Sequence, residues 1–130
     1  IGLFLSNDRK LLDLKVYEPA VSHRIAVYLE DSFSEFNIDC EYDKYFDSKK
    51  RSPNEEGIRP DILVHKRNDD NKNILAVEIK RNRKSKWDES KLKMLTDKNG
   101  QFKYKLGVFV SFPHNEARYK WFVNGSEETI

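Results

Sequence analysis

Residues 59–81 read RPDILVHKRNDDNKNILAVEIKR. The segment contains two short apolar runs joined by the polar residues 68–72, a pattern typical of a β-hairpin. The second run, 74–79, is apolar on both sides of the pleat and therefore predicts an interior strand. Because strand side chains alternate between faces, Glu78 and Lys80 are expected to share one face at the end of that strand.

A second acidic residue is expected to meet this end of the hairpin. Asp61 follows Pro60 at the mouth of the first strand, and folding about 68–72 brings it level with Glu78 and Lys80. Two neighbouring carboxylates repel unless a cation lies between them, and hard oxygen ligands suit Mg²⁺ or Mn²⁺. The alternative is an ordinary surface pair of Glu and Lys near a strand end.

These residues resemble a known motif. Pro60-Asp61 and Glu78-Ile79-Lys80 resemble the PD-(D/E)xK motif of the restriction-endonuclease-like nuclease superfamily, in its PD…ExK form. The flanking sequence is similar to small bacterial and phage nuclease-like proteins, and the resemblance covers about residues 18–112. It implies an α/β fold with a restriction-endonuclease-like core, a mixed β-sheet flanked by helices, in a single domain spanning 1–130.

The resemblance also implies the roles of individual residues. Mg²⁺ or Mn²⁺ would be held by Asp61, Glu78 and the Ile79 carbonyl, with Glu18 on the first helix as a further metal-binding and catalytic acid. Lys80 would act electrostatically on the water or the phosphate. For Glu18 the alternative is a favourable interaction with the positive end of the helix dipole.

The charge distribution indicates where nucleic acid would bind. The net charge is only +2, but residues 80–105 contain ten basic residues and three acids. The basic residues that follow Lys80 are predicted to contact the phosphate backbone, with DNA as the expected partner. They are Arg81, Arg83, Lys84 and Lys86. The alternative is a basic segment that only solvates a helix and loop, and Trp87 within it is expected to pack rather than to stack on a base.

The remaining elements are predicted from apolar periodicity. A strand–helix–strand order after the hairpin implies a parallel strand pair. Asp39, Glu41 and Asp43 on one face of the first strand are expected to be solvated, with Glu41 and Asp43 as metal ligands the alternative. Asp88 is expected to cap the second helix. The predicted elements are a long helix over 18–33, a first strand over 37–46, a second helix over 88–98, a strand over 104–112, a closing helix over 114–123 and a frayed end.

Composition narrows the class of protein. No apolar run has the length of a membrane span, and no charged-then-apolar leader opens the chain, so a cytoplasmic protein without a membrane partner is expected. The single Cys40 excludes an internal disulfide and is expected to be buried. Because the chain begins at Ile1, it is read as a trimmed chain or a piece of a larger protein. A homodimer is suggested only by analogy.

The sequence therefore predicts a Mg²⁺-dependent nuclease of the PD-(D/E)xK type acting on nucleic acid. Two alternatives stay open, a catalytically inactive nucleic-acid-binding module and a protein-interaction module with a nuclease-like fold. His65, on the same strand face as Asp61, is expected to pack within the sheet rather than to lie near a metal.

Overall fold

The computed structural model describes residues 4, 7–8, 10–11, 18–41, 44–45, 48–49, 60–67, 69–80, 86–113 and 116–128. Helices α1 (Glu18–Ser32) and α2 (Lys86–Thr96) are the two long helices of these residues. The strands are β1 (Asn37–Cys40), β2 (Lys44–Tyr45), β3 (Ser48–Lys49), β4 (Ile62–His65), β5 (Leu75–Lys80), β6 (Leu106–Ser111), β7 (Arg118–Val123) and β8 (Ser126–Glu128).

Six of these strands form one mixed sheet. Their order is β1-β4-β5-β6-β7-β8, while β2 and β3 pair separately. β5 and β6 run parallel, and every other neighbouring pair in the sheet is antiparallel. The prediction of an α/β fold with a mixed sheet is thus confirmed, including the parallel pair joined through a helix.

The predicted hairpin is also confirmed. β4 and β5 pair antiparallel, with Ile62 opposite Val77 and Val64 opposite Leu75. The connection contains a short 3₁₀ turn at Asp70–Lys72, which begins where the Asp69 side chain accepts the Asn71 N–H at 3.1 Å. This local capping stabilises the closed end of the hairpin.

Strand β5 lies in the interior of the sheet and contributes to a core on each face. On one face Val77 and Ile79 pack with Val21 and Ile25 of α1. On the other face Ala76 packs with the α2 leucines and other buried residues. Apolar residues on both sides of the pleat therefore reflect two helical layers, as expected for a strand covered on both faces.

The closing helix predicted over 114–123 is wrong. Residues 118–123 form β7, which pairs with β6, and 126–128 form β8 rather than a frayed end. The side chain of Phe122 is buried with the α2 cluster, whereas Trp121 packs against the α1 cluster. Neighbouring aromatic residues that bury on opposite faces follow the period of a strand, not of a helix.

Three expectations about the first strand also need correction. The strand ends at Cys40 rather than at residue 46, and Cys40 is exposed. Asp39 is not solvated, because it pairs with His65 at 2.7 Å and with Arg67 at 2.5 Å. The exposure of Glu41 agrees with the prediction for that face, and Asp43 lies outside the described residues.

Candidate functional site

Asp61 is held at the mouth of β4 by backbone contacts on both sides. Its carbonyl accepts a hydrogen bond from the Glu41 N–H at 3.0 Å. Its Oδ2 accepts one from the Ile79 N–H at 2.7 Å. Because β4 begins only after Pro60 and Asp61, this side chain continues the bonding to β5 where the paired strand has ended. The carboxylate is therefore fixed beside the end of β5.

Glu78 lies beside Asp61 as the hairpin register requires. Ile62 is opposite Val77, so one further step places Asp61 opposite Glu78. Glu78 shares its face of β5 with Ala76, which is the face covered by α2. The residue is only 1% exposed. A carboxylate so far from water needs a compensating charge or proton.

Helix α2 supplies the cation that contacts Glu78. Lys91 Nζ lies 3.1 Å from Glu78 Oε1 and 3.0 Å from Asp88 Oδ1, and Lys91 itself is 8% exposed. Glu78 Oε1 accepts no hydrogen bond of good geometry from the described residues. The contact with Lys91 is therefore an ion pair by distance rather than a well-directed hydrogen bond.

Lys80 joins the same cluster through Asp88. Lys80 Nζ lies 3.3 Å from Asp88 Oδ2, so Asp88 contacts both lysines through its two oxygens. The sequence placed Lys80 with Asp61 and Glu78 alone, without the α2 residues. The structure adds Asp88 as a third carboxylate and Lys91 as a second ammonium group. The prediction that Asp88 caps this helix is wrong, because α2 begins at Lys86 and Asp88 lies within its first turn.

The electrostatics of this cluster favour a further positive charge. Burial raises the pKa of Asp61, although the Ile79 N–H and the Lys91 charge oppose the shift. Burial and the neighbouring Asp61 raise the pKa of Glu78 well above its usual value. The pKa of Lys91 is raised because Glu78 and Asp88 outweigh the effect of its own burial. Among these five described side chains, three carboxyl groups stand beside two ammonium groups, so a proton or a cation at Glu78 would balance their charges.

The residues fit a divalent cation in chemistry, with an incomplete protein ligand set. No group of three or more His, Cys, Asp or Glu among the described residues is arranged to hold a metal ion. Asp61 and Glu78 nevertheless offer two neighbouring carboxylates, and Glu78 Oε1 is buried without a hydrogen bond from those residues. Mg²⁺ is commonly held by one or two carboxylates and several waters. Asp61 and Glu78 match that number of carboxylates.

The other predicted site residues are positioned differently. Glu18 begins α1, which packs on the opposite face of the sheet from Glu78, and its side chain lies outside the described residues. The Ile79 side chain is buried toward α1. Lys86 begins α2 and is exposed. Three predicted nucleic-acid contacts lie outside the described residues, namely Arg81, Arg83 and Lys84.

Asp88 and Lys91 were missed as site residues, yet their spacing contains a signal. Together with Leu92 and Leu95 they occupy positions i, i+3, i+4 and i+7, the period of the buried face of a helix. Charged residues on a stripe that also carries core leucines are expected to be buried together. Because Leu92 and Leu95 face the core, the same face of the helix places Asp88 and Lys91 against the sheet.

The sequence also made predictions for His65 and Trp87. His65 is buried in the sheet between Asp39 and Tyr104, which confirms that it packs there. Trp87 is 42% exposed and thus only partly packed, and the expectation that it packs rather than stacks on a base stays a prediction. An exposed tryptophan next to Lys86 is open to solvent at the start of α2.

Comparison of the chain with protein-family models and with curated proteins finds no match. Membership of the nuclease superfamily therefore stays a prediction that rests on the residues of the hairpin. Across the residues that the structure describes, neither helix has the length and apolar character needed to cross a membrane.

Proposed function

We propose that this domain is a Mg²⁺- or Mn²⁺-dependent nuclease that hydrolyses phosphodiester bonds of nucleic acid, with DNA as the expected substrate. One observation carries the proposal. Asp61 and Glu78, far apart in the sequence, meet at the end of an otherwise apolar hairpin with the charges of Lys80, Asp88 and Lys91 around them. Glu78 is a buried carboxyl group whose pKa is raised well above its usual value beside a second acid, which makes it a candidate for a functional site.

Each residue has a defined part in the proposed chemistry. Asp61 and Glu78 would hold the divalent ion, with the Ile79 carbonyl as a further ligand implied by the motif. The motif also implies Glu18, but α1 packs on the opposite face of the sheet, so no role at this ion is assigned to it. When bound, such an ion lowers the pKa of a coordinated water and neutralises charge on the scissile phosphate. Lys80, held beside Asp88 at 3.3 Å, would stabilise the charge that develops on that phosphate.

The same proposal assigns the fold and the substrate path. A mixed sheet with a central hairpin and a helix on each face supports a restriction-endonuclease-like core. Arg81, Arg83, Lys84 and Lys86 follow β5 directly and would contact the phosphate backbone of a substrate. Lys86 is exposed at the start of α2, as such a role requires.

Substitution of either paired acid tests the proposal. We expect Glu78→Gln and Asp61→Asn each to lower Mg²⁺-dependent cleavage of plasmid DNA by at least about 100-fold, because the ion loses a charged ligand. Circular dichroism should show an intact fold. Glu128→Gln, an exposed acid on β8, is the matched control and should cleave normally. Full cleavage by both site variants would overturn the proposal.

A second function is favoured by the Lys91 contact. Because its ammonium group already lies 3.1 Å from Glu78 Oε1, the buried charge is partly neutralised without any metal. A module that binds nucleic acid without cutting it needs no metal at Glu78, and the Lys91 contact suits such a metal-free site. Incubation of supercoiled, linear and single-stranded substrates with Mg²⁺, Mn²⁺ or chelator separates the two functions. Salt-sensitive binding without metal-stimulated nicking would favour the binding module.

A further inference from the structure

Lys91 is positioned as the counter-ion of two carboxylates at once. Its Nζ lies 3.1 Å from Glu78 Oε1 and 3.0 Å from Asp88 Oδ1, and the three residues are all buried. Removing one partner of a buried ion pair leaves an uncompensated charge, which strongly destabilises a fold. In the protein without metal, Lys91 therefore stabilises the fold by neutralising the buried Glu78 carboxylate.

A divalent cation would compete with the Lys91 ammonium group for the Glu78 carboxylate. Mg²⁺ takes oxygen ligands at about 2.0–2.1 Å, whereas the Lys91 ammonium group is in contact with the same carboxylate. Two cations at one carboxylate repel each other strongly where water is scarce. A divalent cation can therefore bind Glu78 only if Lys91 moves away from it.

Asp88 remains available as a partner for Lys91 when Lys91 leaves Glu78. The residue lies three positions before Lys91 on α2, so the two side chains occupy the same face of the helix. Lys91 can keep its contact with Asp88 while it releases Glu78. The movement requires a change of side-chain rotamer and no change in the sheet.

We infer that Lys91 is an exchangeable counter-ion: it neutralises Glu78 in the metal-free protein and gives up this contact to a divalent cation, retaining Asp88. The inference rests on the proposed function, since it needs a metal at Asp61 and Glu78. It adds that metal affinity is held down by the chain's own lysine and that metal binding is coupled to helix α2.

Substitution of Lys91 by methionine separates these effects in the whole chain without nucleic acid. We expect Lys91→Met to lower the melting temperature in chelator and to bind Mn²⁺ about tenfold more tightly or better by calorimetry, because its competitor is gone. Mn²⁺ should then raise the melting temperature of the variant more than that of the wild type. Lys93→Met, an exposed lysine of the same helix, is the control and should change Mn²⁺ affinity by less than about twofold.

A double variant keeps the inference testable if Lys91→Met does not fold in chelator. Lys91→Met with Glu78→Gln removes both charges of the pair, so we expect it to recover the melting temperature while losing the response to Mn²⁺. Wild type that binds Mn²⁺ as tightly as Lys91→Met would overturn the counter-ion inference alone. Absence of Mn²⁺ binding by both proteins would overturn the proposed metal site and the inference with it.

Discussion

Asp39 shows how single residues are matched to their surroundings at the edge of the sheet. Its Oδ2 lies 2.7 Å from His65 Nε2 and 3.0 Å from Arg67 Nε, while Tyr104 approaches the other nitrogen of His65 at 3.4 Å. Burial alone would raise the pKa of Asp39, but the hydrogen bonds from Arg67 and His65 outweigh it and lower the pKa. The pairing links edge strand β1 to β4 through charge as well as through the backbone.

This lowered pKa predicts a pH-dependent contribution to stability. A carboxyl with a lower pKa in the folded state stabilises the fold above its unfolded value of about 3.9, and the contribution is lost as pH falls through the folded pKa. We expect Asp39→Asn to lower the free energy of unfolding by about 1–3 kcal/mol at pH 7. The difference from wild type should shrink below about pH 4, measured by urea unfolding at several pH values.

The exposed Asp31 of α1 offers the matched control for that experiment. Asp31→Asn should alter the free energy of unfolding by less than about 0.5 kcal/mol at either pH. A difference between Asp39→Asn and wild type that is the same at neutral and acid pH would contradict the pairing argument.

At the scale of elements, β7 decides how the second core is closed. Phe122 is 0% exposed and packs with Phe109 and the α2 leucines, whereas the adjacent Val123 is 37% exposed. Gly107 on β6 permits this closeness, because a Cβ there would lie 3.0 Å from Thr96 Cγ2 of α2. β6 and β7 thus form the part of the sheet surface on which α2 packs, and this packing positions the charged residues of α2.

The strand assignment of β7 predicts opposite outcomes for neighbouring residues. We expect Phe122→Ala to lower the free energy of unfolding by about 3–5 kcal/mol, because a large buried ring leaves a cavity. Val123→Ala, its neighbour on the other face, should cost less than about 1 kcal/mol. Chemical denaturation of both variants provides the measurement, and equal costs would contradict the alternation.

At the scale of the whole molecule, the two ends of the β4–β5 hairpin carry different charged residues. The open end carries Asp61, Glu78 and Lys80, and the closed end carries the exposed Lys66 and Lys72 beside the 3₁₀ turn. The overall charge of +2 is too small to direct nucleic acid by itself. If the proposed function holds, the position of the basic residues has to provide the directional attraction.

Salt-dependent binding tests which end of the hairpin meets nucleic acid. Replacing Arg81, Arg83, Lys84 and Lys86 by Gln should weaken DNA binding and reduce the slope of log affinity against log salt by up to about 3–4, since each phosphate contact contributes about 0.9. Lys66→Gln with Lys72→Gln should leave that slope unchanged. A larger effect of the closed-end pair in a fluorescence titration would place the nucleic acid elsewhere.

Much of the central architecture could be predicted from local patterns. The hairpin, the interior strand and the parallel β6 were recognisable because apolar alternation, turn residues and a following helix are signals within short segments. β7 was not recognisable as a strand, since Ala117, Trp121 and Phe122 also suit the spacing of a helix face. Only pairing with β6 resolves that ambiguity.

The sequence by itself determined that Asp61 and Glu78 meet, because hairpin register follows from turn position and the two-residue period. Tertiary structure alone decided that Lys91 of α2 contacts Glu78 and that Asp88 links it to Lys80. Those contacts join a helix to a strand through packing depth and helix rotation. These are non-local quantities, and they depend on how α2 settles on β5, β6 and β7 rather than on any one segment of the chain.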